Sequence, residues 1–291
     1  MLHHLYLISA MVIVGSSVPV GRIVALDMPV YLTLCARFAV GSAALYAFMR
    51  VRGVKLPALK GRVLFMSAAL ALLGSVLFNV FIIAGLREVT AVSSGILTGT
   101  LPVVLLMLSL ALLGERVTAQ KLSAVAVSAA GVMLVNVSNA SGGTGGTLKG
   151  SIFVLLAVLC EALFLLLRKF LPKDFSSLAL SFYVSLFGLI YFMPAGIYEA
   201  FHGKFAEITV SGFVLIAYYG LFITAAAYIL WFEGIGHVAG AYASVYTSFM
   251  PVSAVVLSSL FLHERITAAH AGGLALIVFA VLMLAFQNIK R

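Results

Sequence analysis

The chain has 291 residues, 63% hydrophobic and 9% charged, whereas a water-soluble domain carries about 25% charged residues; water is excluded as its main solvent. Its net charge of +9 sits on basic residues placed between apolar runs, which argues against a nucleic-acid partner and for control of membrane topology. Cys35 and Cys160 both fall inside apolar runs, so neither a disulfide framework nor a zinc site is expected.

In chain order, ten apolar segments are long enough to cross the hydrocarbon core, which takes about 20 residues each. They cover 5–25, 30–49, 62–85, 91–113, 119–137, 150–170, 177–197, 211–233, 239–262 and 268–287. The first is expected to be a membrane helix rather than a signal peptide. No Lys or Arg precedes it, only His3 and His4, and it exceeds the usual apolar core of about 7–15 residues. Punctuation separates the rest: Asp27-Met28-Pro29, the basic stretch Arg50 to Arg62, Pro172-Lys173-Asp174 and His202-Gly203-Lys204. Residues 138–147 (SNASGGTGGT) read as a flexible linker. They lack the Gly-Lys-Ser/Thr of a phosphate loop.

The linker lies at mid-chain, and the chain repeats across it. Gly85 to Ala119 aligns without a gap on Gly234 to Ala268, 149 positions later. Thr98 falls on Thr247, Pro102 on Pro251, and Glu115-Arg116-x-Thr118-Ala119 on Glu264-Arg265-x-Thr267-Ala268. Fainter echoes at offsets of 146 or 147 pair Arg22 with Arg168, Asp27 with Asp174 and Gly41 with Gly188. The expected domains are therefore 1–137, the linker, and 148–291. Five spans per unit is an odd number, so the second unit enters the membrane upside down. Inverted repeats of this kind build carriers around a midplane site. Counting Lys and Arg puts Arg50, Arg52, Lys55, Lys60, Arg62, Arg116, Lys121, Arg168, Lys169, Lys173, Lys290 and Arg291 on one side. The other side keeps only Arg22, Arg87, Lys149, Lys204 and Arg265. The basic side faces the cytoplasm, so both termini are expected there.

Several motifs give this pattern a family likeness. They are Thr224-Ala-Ala-Ala-Tyr228-x-Leu230-Trp231-Phe232, Ala243-Ser244, Pro251 and His263-Glu264-Arg265-Ile266-Thr267, with Leu101-Pro102 and Leu113-Gly114-Glu115-Arg116-Val117-Thr118 in the first half. Together they resemble the EamA family of the drug/metabolite transporter superfamily, and most of all its bacterial exporters of aromatic and other neutral amino acids. The resemblance covers nearly the whole chain. It implies an all-α integral membrane protein, ten transmembrane helices in two inverted five-helix repeats around a central cavity. The first, third, fourth, sixth, eighth and ninth helices would wall that cavity. It also implies outward transport across the inner membrane. Many members carry an acidic residue shortly before the proline of helix four or nine. Here those places hold Thr100-Leu101 and Phe249-Met250, so no carboxylate-dependent step carries over from them.

The candidate site residues follow from chemistry at depth. Pro102 and Pro251 each remove a helical hydrogen bond at equivalent mid-helix places; they are static kinks or paired hinges. Gly95 and Gly99, with Ser244 and Ser248 in the other half, read as packing seams. Glu161 is the one carboxylate near the middle of a predicted helix. A charge there costs about 2.5–3.5 kcal/mol on insertion scales, so it is paired, protonated or facing a wet cavity. It is the candidate contact for a substrate amine, or the proton site. Arg37 could anchor a substrate carboxylate, but on a helix not expected to line the cavity it reads as structural, paired with backbone carbonyls or reaching the interface through its long stem. Asn79, Ser94, Thr98, Tyr242 and Tyr246 are candidate cavity-lining residues, suited to an apolar or aromatic solute with a small polar head. Trp231 is another, with the interfacial aromatic belt as its alternative.

No enzyme is expected. His263-Glu264 starts like a zinc-protease motif but has no second His, and no Gly-x-Ser-x-Gly elbow occurs. No cofactor or metal is expected. The partners are the lipid bilayer, a small-molecule substrate and, if transport is coupled, protons. The sequence thus predicts a secondary transporter exporting small organic metabolites, amino acids first, by alternating access. The same fold with other cargo (drugs, nucleosides, sugar derivatives), or a non-transporting membrane scaffold, is the alternative.

Overall fold

The computed structural model describes residues 2–54, 56–112, 118–140, 146–172, 175–235, 237 and 246–289, and no strand occurs among them. Among the described residues nine helices are long and apolar enough to cross a membrane: α1 (Leu2–Asp27), α2 (Val30–Val51), α3 (Gly61–Glu88), α4 (Ala91–Leu112), α5 (Ala119–Val137), α6 (Leu148–Phe170), α7 (Ser177–Phe201), α8 (Val210–Gly234) and α10 (Ala268–Ala285). A shorter apolar helix, α9 (Phe249–Leu262), lies between the last two. It is the later part of the segment expected over 239–262, whose start lies outside the described residues. The chain is a multi-pass membrane protein. Such apolar runs must be helical in lipid, because only a helix satisfies its own backbone there.

Local chemistry sets the helix starts. Thr90, Thr147 and Thr209 each accept a hydrogen bond from the backbone N–H three residues on, at 3.1, 3.0 and 3.2 Å, capping α4, α6 and α8. Pro29 holds an extended φ/ψ before α2. The last helix of the first half runs on to Ala140, so the first residues expected in the linker are helical; residues 141–145 lie outside the described set.

Five of the spans are irregular among the described residues, and sequence explains three of the breaks. Proline at position n leaves the carbonyl at n−4 without its donor. Pro19, Pro102 and Pro251 thus have no N–H to donate to Gly15, Thr98 and Thr247, and α-helical geometry lapses at Ser16, at Gly99–Thr100 and at Ser248. At the second break the bonds shorten to i−3, from Gly99 N to Ile96 O at 3.0 Å and Thr100 N to Leu97 O at 3.1 Å. Two spans also contain π-helical turns, Leu72–Leu77 in α3 and Tyr219–Ala226 in α8. These occupy matching places 149 positions apart.

Helix packing has a regular pattern. α2 packs on α7, α4 on α9 and α5 on α10. The remaining main contacts come in exchanged pairs: α3–α6 with α8–α1, α2–α8 with α7–α3, and α1–α9 with α6–α4. Individual atoms follow suit. A Cβ at Gly85 would meet Val154 Cγ2 at 2.6 Å and Gly150 O at 3.0 Å; one at Gly234 would meet Leu7 Cγ at 2.7 Å and His3 O at 3.1 Å. Gly85 and Gly234 are 149 apart, and His3 and Leu7 precede Gly150 and Val154 by 147. The largest buried cluster draws on both halves, from Val24, Leu34 and Leu86 to Val154, Ile223 and Ala254.

Candidate functional site

The three proline breaks converge. A Cβ at Gly15, on the α1 break, would overlap Ser253 Oγ and lie 2.7 Å from Met250 O; one at Gly99, on the α4 break, would lie 2.9 Å from Pro251 Cβ. Gly95 faces Ala254 one turn earlier. The α4–α9 seam expected from Gly95 and Gly99 is thus a contact of small residues in the structure. Its junction with α1 was not expected. Pro19 carries the signal, since it follows Ser16-Ser17 inside an apolar run. Beside the junction lies a cavity of about 20 Å³, bordered by Ser17, Phe78, Ile82, Thr98, Tyr219 and Met250. That is room for about one water.

The π turns frame a polar cluster next to it. Arg37 on α2 donates from Nε to Thr224 Oγ1 at 2.9 Å and from Nη1 to Asn79 Oδ1 at 3.0 Å. Thr224 Oγ1 in turn donates to Tyr219 O at 3.1 Å. Asn79 Nδ2 donates to Ser75 O at 2.6 Å. Ser75 Oγ donates to Val184 O on α7 at 3.2 Å. The Arg37 guanidinium stacks on Tyr219, 3.8 Å from the ring centre. Both π turns therefore give up backbone carbonyls to side chains that link neighbouring helices. Such turns concentrate at functional sites. Arg37 meets side chains on α3 and α8, where sequence pointed to carbonyls or the interface. Thr224 stands 149 positions after Ser75, so the repeat itself marks it.

The other candidates are dispersed around this cluster. Asn79, Ser94 and Thr98 are buried. Thr98 borders the small cavity and donates to Gly95 O at 2.9 Å. Ser94 Oγ is buried with no hydrogen-bond partner among the described residues. Glu161 on α6 is half-buried and makes no hydrogen bond or ion pair among the described residues. Tyr228, three residues before Trp231 on α8, is 38% exposed. Trp231 is half-buried. Tyr246 hydrogen-bonds His4 Nδ1 through its hydroxyl. Tyr242 and Ser244 lie outside the described residues.

One end of the bundle is laced shut by polar groups. Glu264 spans the N-terminus of α4, its carboxylate accepting from Ala91 N at 2.9 Å and Val92 N at 2.8 Å. A carboxylate there meets the positive end of the helix dipole. His263 makes this reach feasible: it closes α9 in the left-handed region at φ 54°. Arg22 donates to Leu86 O and, at 3.1 Å, to Val89 O. Arg87 donates to Ala25 O at 3.0 Å, and Glu88 pairs with Lys149 at 3.2 Å. Every residue of α4 from Ala91 to Thr98 is buried. At the opposite end Arg168 bonds Ser177 Oγ and lies 5.6 Å over the Phe232 ring, one turn beyond the exposed Tyr228.

Comparison with known proteins adds an independent line. The model of the EamA-like transporter family matches residues 1–137 and 148–286. The uncharacterized transporter YetK of Bacillus subtilis is 35% identical over 274 residues, which is 94% of this chain and 83% of YetK. A second uncharacterized transporter of the same bacterium, YyaM, is 22% identical over 192 residues, 65% of this chain and 63% of YyaM. One crystal structure superimposes with a TM-score of 0.67 at 18% identity, over 99% of this chain and 98% of its own. That likeness is one of fold.

Proposed function

We propose a transport cycle for this chain, which belongs to the EamA-like transporter family. It is a membrane transporter. Its cargo, in this reading, is small organic metabolites moved outward across the inner membrane, aromatic and neutral amino acids first. The two halves, 1–137 and 148–291 joined through 138–147, act as inverted five-helix repeats with both termini in the cytoplasm.

The observation that carries this reading is the exchanged packing. α3–α6 recurs as α8–α1, α2–α8 as α7–α3 and α1–α9 as α6–α4, the pattern left by a two-fold relation between halves. Carriers use such a relation to obtain two access states from one fold. In this account the breaks at Pro102 and Pro251 flex, α4 and α9 swing about them, and the solute sits near Asn79, Ser94, Thr98, Glu161, Trp231, Tyr242 and Tyr246. The end laced by Glu264, Arg22 and Arg87 is the outer one, closed in this state. The end at Arg168 and Tyr228 is the cytoplasmic entry. Binding energy that favours the transition between states is what drives turnover.

The test is flux in proteoliposomes over a panel of solutes, with and without a pH gradient, for the wild type and Glu161→Gln. Efflux of phenylalanine or another neutral amino acid that responds to the gradient, with the response lost in Glu161→Gln, supports exchange against protons. Flux indifferent to the gradient and to Glu161→Gln assigns uniport and removes Glu161 as the proton site. No competition by tryptophan, phenylalanine, methionine or threonine would defeat the amino-acid cargo.

A further inference from the structure

We propose that the cleft between α2, α3 and α7 is a lipid site. It holds the zwitterionic head of an aminophospholipid, with Arg87 taking the phosphate and Glu199 the ammonium, while the acyl chains stay in the bilayer. The inference goes beyond the transport reading and does not depend on the cargo.

A cavity of about 160 Å³ lies in this cleft, bordered by Tyr31 and Leu34 of α2, Val80, Ala84 and Arg87 of α3, and Glu199 of α7. It shares no bordering residue with the polar cluster around Arg37 or with the small cavity at the proline junction. Packing accounts for it. α7 lies against Gly61–Leu77 of α3, whereas Phe78–Glu88 turns to α1 and α6. The three helices therefore part toward the Arg87 end.

Depth gives the cleft an amphiphilic profile. Arg87 and Glu199 stand one and two residues before the ends of α3 and α7, and Tyr31 one residue after the start of α2. The charged rim is thus at head-group level, where tyrosine also sits well. Val80 lies seven residues deeper than Arg87, about 10 Å along the helix. Tyr31 and Val80 are exposed, as are Ile197 and Tyr198 beside Glu199. Exposed apolar surface on a membrane span is surface for lipid.

Each charge keeps spare capacity. Arg87 Nε donates to Ala25 O at 3.0 Å, and its Nη groups make no hydrogen bond among the described residues. Glu199 Oε2 accepts from Leu32 N at 2.8 Å, and Oε1 has no partner among those residues. Neither side chain makes an ion pair among them. A guanidinium held through Nε presents its other donors as a fork that suits a phosphate, and a free carboxylate oxygen suits an ammonium. A cavity that offers both charges matches a ligand that carries both. An apolar floor running from that rim toward the hydrocarbon makes the ligand an amphiphile.

The repeat supplies a contrast. Arg52 precedes Glu199 by 147 positions and Ala84 precedes Glu233 by 149. In the matching cleft Arg52 pairs directly with Glu233 on α8, at 3.3 Å. Here the counterpart of that partner is Ala84, which has no charge to offer Glu199 and leaves the cleft open.

The test is native mass spectrometry of the detergent-purified chain with three dioleoyl lipids: phosphatidylethanolamine, phosphatidylcholine, whose ammonium has no N–H, and phosphatidylglycerol, which has no amine. We expect the ethanolamine lipid to bind about tenfold more tightly than either, the scale of one charged hydrogen bond. Glu199→Gln, which keeps an oxygen for Leu32 N, should erase that preference. Ala84→Leu, which fills the cavity and touches neither charge, should weaken phosphatidylethanolamine binding by about tenfold, so the site is tested even if Glu199→Gln fails to fold. Equal binding of the three lipids overturns the proposal, as does ethanolamine-lipid binding that Ala84→Leu leaves unchanged. Soluble phosphoethanolamine that binds as tightly as the lipid overturns the lipid as occupant.

Discussion

Gly41 of α2 and Thr224 of α8 are in direct contact: a Cβ at position 41 would lie 2.5 Å from Thr224 Cγ2 and 2.8 Å from its Cβ. Thr224 cannot retreat freely, because Arg37 and Tyr219 O both hold its hydroxyl. Gly41→Ala should therefore lower stability by about 1–3 kcal/mol, the usual cost of overpacking. At the matching contact a Cβ on Gly188 would meet Ser75 Cβ at 3.0 Å, so Gly188→Ala should cost less. Thermal unfolding in detergent ranks the two; the reverse order would break the link drawn between packing distance and stability.

The Glu264 cap on α4 sets a second expectation. Removing a helix cap typically costs about 1 kcal/mol, and Glu264 satisfies two N–H groups. Glu264→Ala should cost about 1–2 kcal/mol. Glu264→Gln, which keeps one acceptor oxygen, should cost less. Equal melting temperatures for both variants and the wild type would show that the cap bears no load.

His263 offers a change in the opposite direction. A non-glycine residue in the left-handed region is disfavoured, and glycine is the usual helix C-terminal residue there. Its counterpart 149 positions earlier is Gly114. His263→Gly should raise stability by about 0.5–1 kcal/mol, read as a higher unfolding midpoint. A fall would mean that the imidazole makes a contact worth more than the backbone strain.

The prolines bear on motion. Pro102→Ala and Pro251→Ala return a backbone donor to Thr98 and Thr247 and should straighten α4 and α9. Transport should slow by about tenfold to a hundredfold, while solute binding and the folded state persist. Full-rate flux in the double variant would remove the hinge role.

The spans themselves were legible, because lipid leaves a long apolar run no alternative to a helix. The nine long helices fall where hydropathy put them, within a few residues. Less was visible inside them. The π turns in α3 and α8 have no composition of their own; in them Asn79 and Thr224 bond the backbone carbonyls of Ser75 and Tyr219, drawing these from the helical ladder. Arg37 was set aside because its helix was placed outside the cavity wall. Its long side chain reaches past α2 to α3 and α8, a distance that helix numbering does not convey. Pro19 was overlooked for a different reason: the gapless repeat covers Pro102 and Pro251 but does not extend to α1. The Glu-Arg-x-Thr motif was plain, yet its work at Glu264 is done on the N-terminus of another helix, 173 residues away from Ala91.

The central claim, two five-helix units of opposite sense, is tested most directly by the sidedness of Arg116 and Arg265. With Cys35 and Cys160 replaced by Ala, Arg116→Cys and Arg265→Cys are each exposed to a membrane-impermeant thiol reagent in vesicles of known orientation. The account predicts reaction at 116 from the cytoplasmic side alone and at 265 from the opposite side alone. Labelling of both from the same side would contradict it.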